Sequence, residues 1–329
     1  MINTFDIMLN YYDTPQLLRN WLHRVIHFSD FKKFAKRSKI IIADSGTPID
    51  KLDESLSVVE EAFKSVPYNY AYLRLESDEI RKSVPERFDA RMQVYAYNMV
   101  ILDYSTADMI IVNNVGNIVS PDYFNGHVIE HVKSDRAVVL PKRYDLFSDT
   151  YHTEGYKLPW SEVVKGDLHP SGGWPDLSVR RQWYVEIGGW DEWFKFVSPF
   201  DMDLGSRLTG KLDNGQPSEW LIQFIGYDDD QMKTLSFKSL GHYNNLGLDF
   251  VQPENPTFIS LTCNSYSGHG DFVFVDPKSK FAGMRVGKRK EAYDWGYKYY
   301  IKNWGKIKRN AHRIPSKFDV ILRSSNANI

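Results

Sequence analysis

The chain is 329 residues long, 42% hydrophobic and 25% charged, the balance of a soluble globular protein large enough for one domain with an extension. Its one cysteine, Cys263, excludes an intramolecular disulfide framework and fits a reducing compartment. Apolar runs such as MIIV at 109–112 are far too short to span a bilayer, and the opening MINTFDIMLNYY has neither a basic n-region nor a long apolar h-region, so a cytoplasmic location is expected.

In chain order, TFDIMLNYY predicts a strand, and TPQLLRNWLHRVIHF an amphipathic helix with Thr14 as N-cap and Pro15 at its first position. KIIIAD is a short apolar run of the buried-strand kind, ending in the turn DSGTP. DESLSVVEEAFKSV predicts a helix capped by Asp53, and YNYAYLRLE alternates like a strand. RFDARMQVYAYNMVILDYS has helical periodicity, with Met92, Tyr95, Met99 and Leu102 on one side. ADMIIVNN is a strand, SPDYFNGHVIEHVKSD a helix and RAVVLPKR another strand. Such alternation calls for a mostly parallel sheet flanked by helices, with ligands at the carboxyl ends of the strands. Those ends here are YYDT, ADSGT, LESD and NNVGN.

Beyond residue 141 the alternation breaks into a loop-rich segment, YHTEGYKLPWSEVVKGDLHPSGGWPD, with the character of a lid. One domain is expected over 1–275, its nucleotide-binding half at about 1–141 and its acceptor half at about 142–275. Residues 276–329 form a basic aromatic extension. From Lys278 to Arg323 fourteen Lys and Arg face three acids, a net charge of +11, so the remainder carries −12 in a chain whose total is −1. Basic residues among Trp and Tyr suit an anionic membrane surface or a nucleic-acid backbone, and opposite charges also let the extension pack on its own acidic body.

A parallel sheet raises dinucleotide and P-loop readings first, but the chain has neither GxGxxG after its first strand nor GxxxxGK[ST]. Four segments, in order, point elsewhere: FDIMLNYYDTPQLLRNWL, IIIADSGTPID, ADMIIVNNVGNIVSPDYF and RRQWYVEIGGWDEWFKFVSPFDMDLGSRL. Together they resemble the GT-A-fold nucleotide-sugar glycosyltransferases, in particular the inverting, family-two-like branch. The last segment is similar to that of the galactosyltransferase-like members, and the resemblance spans roughly residues 4–210. It implies a GT-A (Rossmann-like) α/β fold and transfer of a hexosyl or pentosyl group, with inversion, from a nucleotide-sugar donor to an acceptor hydroxyl. A UDP-sugar is the favoured donor, a glycan or lipid-linked glycan the expected acceptor. Modified DNA bases are the alternative acceptor, and a non-catalytic sugar- or nucleotide-binding module the alternative function.

Residue by residue, the resemblance implies that Asp44 faces the nucleobase or ribose. Gly188 and Gly189 would let backbone approach the donor sugar, Trp190, Asp191 and Glu192 would hold the sugar or acceptor, and Asp201 would be the general base. Asp203 would support the N-terminus of its helix. The family's metal motif falls at Asn114-Val115-Gly116, where this chain has no aspartate. Asn114 and Asn117 are neutral, and hard divalent cations in nucleotide sites favour carboxylates. A Mn or Mg ion would therefore lean on Asn114, Asn117 and His242, with His269 next in line, or on a carboxylate such as Asp44 or Asp201 reaching it from elsewhere, or be dispensed with altogether. No organic cofactor is implied. Without a metal, Lys142, Arg143, Arg180 and Arg181 are the candidates to meet the diphosphate, and Arg180 and Arg181, adjacent on a strand, cannot both point inward.

Other residues keep two readings open. Asp44 suits an ordinary Asx-turn as well as a ligand, Asn114 and Asn117 suit turn chemistry, and Trp174 either stacks on a sugar or base or packs its loop down. His127 and His131, at i and i+4, are expected on a solvated helix face.

Overall fold

The computed structural model describes residues 2–82, 92–146, 155–166, 168–171, 176–192, 200–209, 246–261 and 317–324. Strand β1 (Phe5–Tyr11) pairs in parallel with β2 (Ser38–Asp44) on one side and β4 (Met109–Asn114) on the other, and β2 pairs in parallel with β3 (Asn69–Leu75). Alternate side chains of these strands enter opposite cores. Phe5, Ile7, Leu9 and Tyr11 face one cluster, with Ile40 and Ile42, while Met8, Ile41 and Ala43 face the other. A sheet buried on both faces needs this near-continuous apolar sequence.

The first core is covered by helices α1 (Pro15–Phe28), α2 (Leu52–Phe63) and α5 (Tyr123–Lys133), with the short α3 (Asp78–Lys82) beyond the end of β3. The second is covered by α4 (Gln93–Asn98), which runs into a π-helical turn over Met99–Tyr104, and by residues of the later α7 (Arg181–Glu186) and α8 (Phe200–Thr209). The α/β architecture, a mostly parallel sheet flanked by helices, is thus the expected one. Local details differ. Thr14 is the N-cap of α1 but its hydroxyl makes no cap hydrogen bond, and α2 begins at Leu52, so Asp53 lies inside the first turn.

Among the described residues the sheet has eight strands in the order β10-β6-β9-β4-β1-β2-β3-β12, where β6 is Ala137–Val139, β9 Ser178–Arg180, β10 Asp249–Val251 and β12 Phe318–Arg323. Strand β9 is antiparallel to both β4 and β6, inserted between two strands that would otherwise be parallel neighbours. Strand β12 lies antiparallel on β3, so the end of the basic extension is an edge of the main sheet. Within the extension, 278–316 lies outside the described residues.

A second, four-stranded sheet is ordered β5 (Asn117–Val119), β11 (Thr257–Leu261), β7 (Lys142–Leu146) and β8 (Leu168–Ser171). The segment expected to be a lid contributes β8 to this sheet. It also contributes a turn, α6 (Trp160–Val163), that docks on α1, where Arg24 donates to the Leu158 carbonyl and its guanidinium lies over the Phe28 and Trp160 rings. The described part of this segment is therefore packed structure, its Val163 buried in a small cluster with Ile118 and Leu146 of the second sheet. Among the described residues no helix is long and apolar enough to cross a membrane.

Candidate functional site

The carboxyl ends of β1, β2 and β4 meet at one edge of the sheet. Asn10 and Asn114 are register partners at the ends of β1 and β4, and their side chains begin a continuous polar strap. Ser45 Oγ donates to Asn10 Oδ1 at 3.4 Å, and Asn10 Nδ2 donates to Asn114 Oδ1 at 2.9 Å. Asn114 Nδ2 and Asn117 Nδ2 both donate to Asp176 Oδ1 at 2.8 Å. Asn117 Nδ2 also reaches Asn113 Oδ1 at 3.3 Å, which accepts the Trp21 indole at 2.9 Å, while Asn113 Nδ2 donates to the Tyr123 hydroxyl at 2.9 Å. The strap ties α1, α5 and the ends of three parallel strands together, and the tight turn at Val115 and Gly116 brings Asn117 back alongside Asn113.

Asp176 was not among the residues the sequence pointed to. It is 3% exposed, and burial pushes its carboxyl up to about 6, against the pull of Arg143 and the two asparagine amides. It stands at this edge because β9 runs antiparallel. Leu177 accepts the Val112 amide, Ser178 pairs with Ile111 and Arg180 with Met109. The beginning of β9 therefore meets the carboxyl end of β4, and its end meets the opposite edge. No motif in WPD announces this, since the direction of a three-residue strand has no signature in local sequence.

The same direction moves Arg180 and Arg181 away from the site. Five residue steps separate Met109 from Asn114 along β4, about 16 Å at strand rise. Arg180 donates to the His131 carbonyl at 3.1 Å, at the last turn of α5, and Arg181 donates to the Ile101 and Leu102 carbonyls of the π-helical turn at 2.8 and 3.3 Å. They do point to opposite sides, but neither meets a diphosphate at the strand ends. A further correction concerns His127 and His131, which are fully buried rather than solvated. Ser178 Oγ lies 2.7 Å from His127 Nδ1 and 2.8 Å from His131 Nε2. Burial pushes both imidazoles down, His131 to about 4.

At the end of β2, Asp44 has the Asx-turn role. Its Oδ1 accepts the Gly46 and Thr47 amides at 3.1 and 2.9 Å and the Thr47 hydroxyl at 2.8 Å, and Oδ2 accepts the Tyr72 hydroxyl at 2.8 Å. With 0% exposure the carboxylate is consumed by the turn it builds, not offered to a nucleobase. What the turn presents at this edge is its neighbourhood. Arg81, on α3, donates to the Ser45 carbonyl at 3.3 Å and to Ser77 Oγ at 3.0 Å, and its guanidinium lies 5.2 Å from the Tyr12 ring centroid. Arg81 and Tyr12 also escaped the sequence reading, because a lone arginine after a strand carries no pattern.

The GGWDE segment is a clamped turn. Gly188 and Gly189 have φ of 74° and 75°, a region costly for any residue with a Cβ. A side chain at Gly189 would also collide with the Asn98 amide oxygen, so this glycine serves packing rather than the expected approach to a sugar. Asn98 accepts the Trp190 amide and donates to the Trp190 carbonyl and to Glu192 Oε1, each at 2.8 Å, while Tyr95 donates to the Glu192 carbonyl at 3.0 Å. Arg207 closes the other side, donating to the Ile187 and Gly189 carbonyls at 3.0 and 2.8 Å. Its partner is Asp203, 2.8 Å away and likewise buried, so Asp203 is the anchor of a buried ion pair rather than a free charge at the helix N-terminus.

Trp190, expected to hold a sugar, is 0% exposed, packed between Tyr97 at 4.7 Å and Phe200 at 5.5 Å between ring centroids. It belongs to the core, as its large apolar area favours. Asp191 and Glu192 are buried beside it, at 1% and 0% exposure. Asp201 is part-exposed in the first turn of α8. Tyr97, packed against Trp190, is likewise a core residue. Burial raises its hydroxyl, and the charges of Asp176 and Asp201 raise it further. Trp174, His242 and His269 lie outside the described residues.

Among the described residues, the donor set at these strand ends does not fit a divalent cation. Asn114 Oδ1 and Asn113 Oδ1 already accept protein donors, Asn114 and Asn117 turn their amino groups toward Asp176, and the Asp176 carboxyl is held where burial disfavours its charge. Among the described residues no group of three or more His, Cys, Asp or Glu is arranged to hold a metal.

No protein-family model and no curated protein matches the sequence. Solved structures similar to the chain include that of GalNAc-T7 with UDP, GalNAc and Mn2+ (TM-score 0.49, 9% identity, 84% of this chain and 47% of that one). Others are S. aureus TarS (0.42, 10%, 79% and 37%) and the mannosyltransferase PcManGT from Pyrobaculum calidifontis in complex with GDP-Man and Mn2+ (0.41, 11%, 79% and 57%). The chain spans 47% of the length of the first of these and 37% and 57% of the other two.

Proposed function

We propose that the protein is a glycosyltransferase that moves a sugar from a nucleotide-sugar donor to an acceptor hydroxyl, with Asp201 as general base. The observation that carries this reading is the polar strap from Ser45 through Asn10 and Asn114 to Asp176, at the strand-end edge where parallel α/β sheets bind ligands. Tyr12, Arg81 and the Ser45–Thr47 turn would line the nucleoside end, and Arg143 would meet the diphosphate. Asp201 would accept the proton of the acceptor hydroxyl as its oxygen attacks the anomeric carbon. The bond from that carbon to the donor's phosphate oxygen breaks, its electron pair leaves with the nucleoside diphosphate, and attack opposite the leaving group inverts the centre. The buried neighbours Asp191 and Glu192 would act by holding the GGWDE turn, and with it the N-terminal end of α8, in position.

The test is Asp201→Asn. Transfer should fall about 10²- to 10⁴-fold, the usual worth of a positioned base, while UDP-sugar binding by calorimetry is retained. Undiminished transfer would remove Asp201 from the mechanism. A screen of UDP-, GDP- and CMP-sugars in which none binds or is hydrolysed would remove the enzyme reading.

A further inference from the structure

The strap at the strand ends has a chemical consequence that rests on the nucleotide-sugar reading of this edge. A site that holds a divalent cation at a diphosphate offers hard oxygen ligands, at least one of them an ionised carboxylate with free lone pairs. Here the side chains at that place answer one another. Asn114 has its oxygen on Asn10 and an amino hydrogen on Asp176, and Asn117 spends its amino group on Asp176 and Asn113. Asp176 Oδ1 takes two amide donors at once, the arrangement that fixes a carboxylate within a protein network rather than presenting it to an ion. The positive charge of Arg143 favours the ionised form of Asp176, and a cation placed beside Asp176 would have to displace these amides against the repulsion of that arginine. Guanidinium, by contrast, suits phosphate oxygens.

We propose that this site takes a nucleoside diphosphate without a divalent cation. The amide strap anchored on Asp176 stands where a metal-binding carboxylate would stand, and Arg143 meets the phosphate charge. Asp176 is a positioning residue in this scheme. It holds Asn114 and Asn117, and so the turn between β4 and β5, in the geometry the diphosphate approaches. The arrangement also makes Asn114 the residue that excludes the ion, because an aspartate there would set a second carboxylate against Asp176.

Calorimetry with UDP and with GDP, in EDTA and in Mn2+, tests the proposal, together with Mn2+ electron paramagnetic resonance on the protein without nucleotide. The expected result is nucleotide affinity unchanged within about twofold between EDTA and Mn2+, no stoichiometric Mn2+ signal in the native protein, and about tenfold weaker nucleotide binding in Arg143→Ala. Asn114→Asp should acquire Mn2+ binding, read by the same resonance. Nucleotide binding that requires Mn2+, or a native Mn2+ site that Asp176→Asn abolishes, would overturn the metal-free site and leave the transferase reading intact. If Asn114→Asp gains no Mn2+, the strap is not what excludes the ion. If neither nucleotide binds under any condition, the nucleotide reading of this edge fails, and this inference fails with it.

Discussion

The two ends of strand β9 meet opposite edges of one sheet and carry opposite chemistry. Before its first residue, Asp176 is a buried acid among neutral amides, raised to about 6. Along its length and at its end, Ser178 and Arg180 meet buried neutral histidines and helix carbonyls, with His131 lowered to about 4. Both groups are unwilling to carry charge because burial disfavours it. The acid lies at the edge where parallel sheets bind ligands, and the histidines lie on the buried face of α5. The same desolvation therefore raises the acid just before β9 and lowers the histidines packed against the strand.

The largest effect that separates the two ends is their opposed pH dependence. Asp176 has a folded value of about 6 against 3.8 unperturbed. Its contribution is present below the lower value and lost as pH rises through the higher one, worth about 3 kcal/mol. His131 has a folded value of about 4 against 6.5. Its contribution is present above the higher value and lost as pH falls through the lower one, also about 3 kcal/mol. In the native protein the two slopes oppose each other over nearly the same window. Urea unfolding across that window should show Asp176→Asn gaining stability relative to native as pH rises, and His131→Gln gaining it as pH falls. Parallel curves for native protein and both variants would show that neither buried group shapes the pH dependence of stability.

A smaller effect separates the arginines. Arg181→Ala loses hydrogen bonds to the Ile101 and Leu102 carbonyls and should lower stability by about 1–3 kcal/mol while leaving nucleotide affinity unchanged. Arg143→Ala should do the reverse, and calorimetry beside thermal unfolding distinguishes them. The smallest effect belongs to Lys142, whose ion pair with Glu254 at 3.0 Å is solvent-facing. Lys142→Ala should change stability by less than about 1 kcal/mol, and a larger loss in a chemical melt would mean that this end of the second sheet matters more than its exposure implies.

Much of the first half was legible in residue pattern. FDIMLNY, SKIIIAD, NYAYLRL and MIIVNN are strands where apolar runs bounded by turn residues said so, and Pro15 opens α1. These elements are long enough for periodicity to declare them and for βαβ handedness to order them. The acids and glycines of GGWDE were legible as a turn of consequence. Their partners were not, because Asn98 and Arg207 approach from elsewhere in the chain. Arg180 and Arg181 were misjudged for a single reason, the reversed direction of a strand too short to show it.

Residue pattern alone dictated the parallel sheet and its two apolar faces, since these follow from local periodicity and from the handedness of crossovers, and it pointed to the carboxyl-end edge as the proposed site. The tertiary structure alone decided which polar residues share that edge. Asn10, Ser45, Asn114, Asn117 and Asp176 are scattered over more than 160 residues and meet only through strand register. Hydrogen bonds have a reach of about 3 Å and no memory of sequence distance, so whether an aspartate is a ligand, a turn or a core anchor is settled by what the fold brings beside it.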